Sequence, residues 1–82
     1  MGPRIIRHRF DREADAIYIW LSESPYSFGT DLDEERRIDF DHSGKPRGIE
    51  LTAVSSGVDI DGLPCKEDVA ALLEELKIRV YA

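Results

Sequence analysis

The chain has 82 residues, 41% of them hydrophobic and 34% charged, with a net charge of −6. This is one domain over residues 1–82, too apolar for a disordered segment. No basic field marks a nucleic-acid binder, and no run approaches the ~18 apolar residues of a membrane span.

A domain this short has a thin core, so pairing with a second copy or another protein is a reasonable expectation. The single cysteine, Cys65, cannot form an internal disulfide. That suits a reducing compartment, and the N-terminus lacks the apolar run of a secretory signal. A cytoplasmic protein is expected. Charge is unevenly spread: Arg4, Arg7, Arg9 and Arg12 make the start basic, whereas Glu23 to Glu35 contains no Lys or Arg and includes Asp31, Asp33, Glu34 and Glu35. Such runs usually sit in water. The sharper reading is attraction between the two ends of one surface, or between subunits.

Residues 4–10 alternate and predict a first strand, with Ile6, His8 and Phe10 toward the core. Residues 11–15 predict an Asp-rich turn. The β-branched and aromatic run 16–21 predicts a second strand. Ile17, Ile19 and Leu21 share one face, Tyr18 and Trp20 the other, so this strand is expected to be central and covered on both sides. Residues 22–35, with Pro25 and Gly29, read as the longest irregular loop. Residues 36–41 and 47–54 predict a hairpin about a turn at Gly44, with Ile38, Phe40, Ile49, Leu51 and Ala53 inward. After a connection rich in glycine, Val69, Leu72, Leu73 and Leu76 recur at helical spacing and predict a helix over 65–76. Glu67 and Asp68 suit its positive end. Residues 77–81 alternate and offer a further edge strand. The fold class is α+β: an antiparallel sheet of four to five strands with one C-terminal helix packed on a sheet face.

Three segments carry a family resemblance. They are Asp11-Arg-Glu13-Ala14-Asp15-Ala16-Ile17-Tyr18-Ile19, then Ile38-Asp39-Phe40-Asp41 with Gly44-Lys45, then Gly48-Ile49-Glu50. Together they resemble a family of small bacterial and archaeal proteins catalogued as a domain of unknown function, over roughly residues 8–54. The resemblance implies a compact antiparallel sheet with a helix. Some members of that family are encoded beside small toxin-like ribonucleases, which implies an antitoxin-like role toward a basic protein partner. His8 departs from the pattern, which usually has an aliphatic residue there.

No catalytic constellation and no cofactor signature is found. Asp39, Asp41, Ser43, Gly44 and Glu50 fall at calcium-loop spacing. Yet the flanks read as strands rather than helices, and Pro46 lacks the N–H the loop needs at its eighth position. A turn whose Asp and Ser side chains bond the backbone is the competing reading. Asp11, Glu13 and Asp15 form a second acidic cluster with the same competing reading. A small metal-dependent hydrolase on these acidic turns is the alternative to a protein-binding module. Cys65 reads as a structural thiol at the helix start and His42 as an exposed turn residue. Tyr18, Trp20, Tyr26 and Phe28 are the candidate interface residues, with a homodimer as the expected state.

Overall fold

The computed structural model describes residues 4–81. Residues 1–3 and residue 82 of the expected domain lie outside the described residues. Five strands form one sheet: β1 (Arg7–Asp11), β2 (Ala16–Trp20), β3 (Phe28–Asp33), β4 (Arg36–Phe40) and β5 (Pro46–Thr52). Their spatial order is β1-β2-β5-β4-β3, with every neighbouring pair antiparallel. A 3-10 turn (Val54–Ser56), β6 (Val58–Asp59), the helix α1 (Lys66–Glu75) and β7 (Val80–Tyr81) complete the chain. The fold is α+β, as the periodicities predict. No helix among the described residues is long and apolar enough to cross a membrane.

One face of the sheet carries the core. Ile17 and Ile19 of β2 lie beside Leu51 and Ile49 of β5, and all four are buried. Val69 and Leu73 of α1 are fully buried in the same cluster, with Val54, Val58, Leu63 and Ile78 around them. Leu72 and Leu76 pack half-buried against it. The helix ends in a Schellman arrangement. The Ile78 amide donates to the Leu73 carbonyl at 2.8 Å, and the Lys77 amide to that of Glu74 at 3.0 Å. Lys77 takes the left-handed conformation this requires, φ 64°, where glycine is usual.

The structure differs from the sequence reading at five places. The expected loop 22–35 contains β3, an edge strand held by stacking of Phe28 on Phe40 (5.1 Å between centroids) and an Asp31–Arg37 ion pair of 3.0 Å. β1 begins only at Arg7, and ahead of it the alternation breaks. Ile5 therefore packs on the core, and Ile6, expected inward, is exposed. Ala53, also expected inward, lies beyond β5 in a left-handed turn, φ 52°, that starts the 3-10 helix. β7 joins no edge of the main sheet. It pairs in parallel with β6, and the helix between them supplies the crossover that a parallel pair needs. Lastly, β2 is flanked by β1 and β5, but only its isoleucine face lies under α1.

Candidate functional site

The face of the sheet opposite α1 is the candidate site. Strand alternation places on it Tyr18 and Trp20 of β2, Gly48 and Glu50 of β5, and Arg37 and Asp39 of β4. Arg7 and Arg9 flank them on β1, and Gly29 and Asp31 on β3. A bulge in β5 adds Arg47: Gly48 faces Asp39 while Pro46 faces Phe40, so Arg47 is the extra residue. Bulges re-aim side chains, and here the Arg47 guanidinium donates to the Tyr18 hydroxyl at 3.1 Å and to the Ser24 carbonyl at 3.0 Å.

These side chains form one hydrogen-bonded network. The Tyr18 hydroxyl donates to Asp39 Oδ2 at 2.7 Å. Arg37 Nε donates to Asp39 Oδ1 at 3.2 Å, and its two terminal nitrogens reach Asp31 (3.0 Å) and the Tyr26 hydroxyl (3.2 Å). Asp39 is buried, 8% exposed, yet both its oxygens are engaged. Charge-assisted bonds of this kind are about twice as strong as neutral ones. Two strand glycines make room for the network. A Cβ at Gly48 would run into the Tyr18 ring and hydroxyl, and one at Gly29 into the Arg37 guanidinium. At the β1 side, the Arg7 guanidinium lies 4.6 Å from the centre of the Trp20 ring and pairs with Glu23 at 2.7 Å. Tyr18 meets Trp20 edge-on at 4.7 Å.

The electrostatics follow from these contacts. Burial pushes the Tyr18 hydroxyl up to about 12, helped by the hydrogen bond to Asp39 and its negative charge and opposed by Arg47. Its phenol is therefore a fixed donor rather than an acid. Hydrogen bonds to Tyr26, Asp31 and Asp39 hold the Arg37 guanidinium still more firmly charged than usual.

The candidate interface aromatics divide between the two faces. Tyr18 and Trp20 lie half-buried on the open face, and Tyr26, 51% exposed, joins them through Arg37. Phe28 stacks on Phe40 on the opposite side. Of the calcium-loop candidates, Asp39 and Glu50 belong to the open face. Asp41 instead closes the β4–β5 turn: its Oδ1 accepts the amides of Ser43 (2.9 Å) and Lys45 (3.0 Å), and these bonds, Lys45's foremost, lower its pKa. Of the second acidic cluster, Asp11 accepts the Ala14 amide, and Asp15 accepts both the amide and the hydroxyl of Ser55. Among the described residues, no three His, Cys, Asp or Glu side chains are grouped to hold a metal ion. Burial, with Asp68 adding to it, raises the pKa of the half-buried Cys65, which keeps the thiol protonated and weakly nucleophilic.

Arg37, Arg47 and Gly48 were missed as members of this site. The signal was present in the two mid-strand glycines, since glycine inside a strand marks a close approach by another group.

Residues 7–55 match the family model described as protein of unknown function, DUF2283. The chain belongs to the DUF2283 family. That match spans β1 to β5 and most of the 3-10 turn. The DUF2283 unit is therefore the sheet with its open face, and α1 and the β6–β7 pair follow it. No curated protein and no solved structure matches this chain.

Proposed function

We propose that this DUF2283 protein is a small cytoplasmic protein-binding module that pairs with a second copy through the open face of its sheet. The observation that carries the reading is the makeup of that face. A core-forming helix covers one side of the sheet, while the other presents Trp20, Tyr18, Arg7, Arg37 and Arg47, held by mutual contacts. Tryptophan, tyrosine and arginine are the residues that dominate binding energy at protein interfaces, and pre-ordering them cuts the entropy lost on docking.

The edge charges favour one arrangement. β1 is basic and the β3–β4 end is acidic. Two copies stacked face to face about an axis along the strands bring β1 of each over β3 of the other. An axis across the strands would set like charges together. The first arrangement is isologous, so it closes as a dimer.

The exposed Asp31, Asp33, Glu34 and Glu35 also suit a basic protein partner, such as the small ribonuclease that the family resemblance implies. Metal-dependent hydrolysis has less support. Asp39, Asp41, Asp11 and Asp15 already use carboxylate oxygens on internal donors.

Mass measurement by light scattering tests the pairing, with Trp20→Glu as the disrupting variant. Pull-down with a basic ribonuclease, against Asp31→Lys/Asp33→Lys as control, tests the heterologous partner. A melting temperature that rises with Ca²⁺, Mg²⁺ or Zn²⁺ would instead favour the hydrolase.

A further inference from the structure

At the end of the sheet away from the β4–β5 turn, the β1–β2 hairpin, the 3-10 turn and the chain leaving α1 enclose a cleft of about 480 Å³. Small-molecule sites fall in the range of roughly 300–1,000 Å³ and combine an apolar lining with a few convergent polar groups. This cleft has both. Its floor is Phe10, Val54, Leu76 and Ile78, buried or half-buried. Its rim carries Arg12, Lys77 and Arg79, all exposed.

The rim charge runs against the rest of the molecule. The chain as a whole is −6, yet three cations surround this one opening, and among the described residues none of them forms an ion pair. The single carboxylate in the lining is Asp15, whose two oxygens accept from the Ser55 amide (2.9 Å) and hydroxyl (2.7 Å). The carbonyls at the nearby end of α1 are capped by the Leu76, Lys77 and Ile78 amides, which blunts the negative pole of the helix. The Arg12 guanidinium lies 4.9 Å from the centre of the Phe10 ring, so a cation is already set over the apolar floor. Three cations against the one Asp15 carboxylate leave the opening with an excess of positive charge, and an anion there relieves the repulsion among them.

We infer that this cleft binds a small organic anion, a phosphate or carboxylate carried on an apolar body of nucleoside size or less. The body rests on Phe10 and Ile78, and the head meets Arg12, Lys77 and Arg79. This site is on the core side of the sheet and does not depend on the open face.

Amide NMR spectra of the whole chain test the inference, with phenyl phosphate, benzoate, adenosine monophosphate, inorganic phosphate and neutral adenosine as probes. Expected are saturable shifts confined to residues near 10–15, 54–57 and 76–80 with phenyl phosphate, benzoate or the nucleotide. Inorganic phosphate should bind at least about tenfold more weakly, and adenosine should give no saturation. Which of the three anions binds tightest identifies the head group and the body. Arg12→Glu/Arg79→Glu should weaken the response at least about tenfold while the remaining spectrum stays dispersed, and Lys77→Gln should weaken it less. No saturable shift with any anion up to ~10 mM would overturn the inference. So would shifts that survive the double charge reversal, or shifts spread equally over Arg7 and Arg9 on the other face.

Discussion

Tyr18 is the residue on which the open face turns, because it joins β2 to the carboxylate of β4 and the bulge of β5. Its raised pKa has a definite stability consequence. A group whose folded pKa lies above its unfolded value stabilises the fold in full below the unfolded value, and loses that contribution as pH climbs through the folded one. For Tyr18 the window runs from the ordinary tyrosine value of about 10 to about 12. Absorbance at 295 nm should show one tyrosine ionising near the upper end, and Tyr18→Phe should remove that step. Asp39→Asn should move the step down, since the carboxylate is one of its causes. Asp39→Ala should cost roughly 1–3 kcal/mol in denaturant unfolding, because it strips Arg37 and Tyr18 of a buried acceptor. Gly48→Ala should cost a similar amount, about 1–3 kcal/mol, as its methyl displaces the Tyr18 ring. Pairing it with Tyr18→Ala should recover part of that loss. If Gly48→Ala left the melting temperature unchanged, the close approach of Tyr18 to β5 would be wrong.

The elements that were legible in the sequence are those that bury a periodic stripe. α1, β2 and the β4–β5 hairpin each carry alternating or helically spaced residues that end fully covered, such as Ile17, Ile49 and Leu73. β3 was hidden because it buries little: Phe28 is 47% and Leu32 39% exposed, and beyond its backbone ladder its hold on β4 comes from one ring stack and two ion pairs, Asp31–Arg37 and Asp33–Arg36. Half of the open face was legible on the same grounds. Tyr18 and Trp20 had to oppose Ile17 and Ile19, whereas Arg37, Asp39 and Arg47 join them only through strand register and a bulge, which a single strand's pattern does not contain. Two changes test the helix. Leu73→Ala should cost about 2–5 kcal/mol, since that side chain is fully buried between α1 and the sheet. Lys77→Gly should raise stability by up to about 1 kcal/mol, because glycine takes the left-handed cap without the clash of a Cβ. A destabilising Lys77→Gly would show that the lysine side chain contributes more than its backbone strain costs.

At the scale of the whole molecule, the DUF2283 sheet separates two jobs by face. One face is spent on the core with α1, and the other is left with an ordered set of aromatic and arginine side chains. The basic β1 edge and acidic β3–β4 end give that open face a direction. Exchanging the charges should therefore break pairing and then restore it. Arg7→Glu/Arg9→Glu and Asp31→Lys/Asp33→Lys should each be monomeric alone, and should form a one-to-one complex when mixed. Growth of the wild type beyond two chains with concentration would instead indicate pairing of strand edges. The most direct measurement is the mass of the wild type and of Trp20→Glu by light scattering at ~100 μM, above the micromolar dissociation constant expected for such a contact. Pairing through the open face predicts twice the chain mass for the wild type and a single chain for Trp20→Glu. A wild type that stays a single chain at that concentration, or a dimer that survives Trp20→Glu intact, contradicts it.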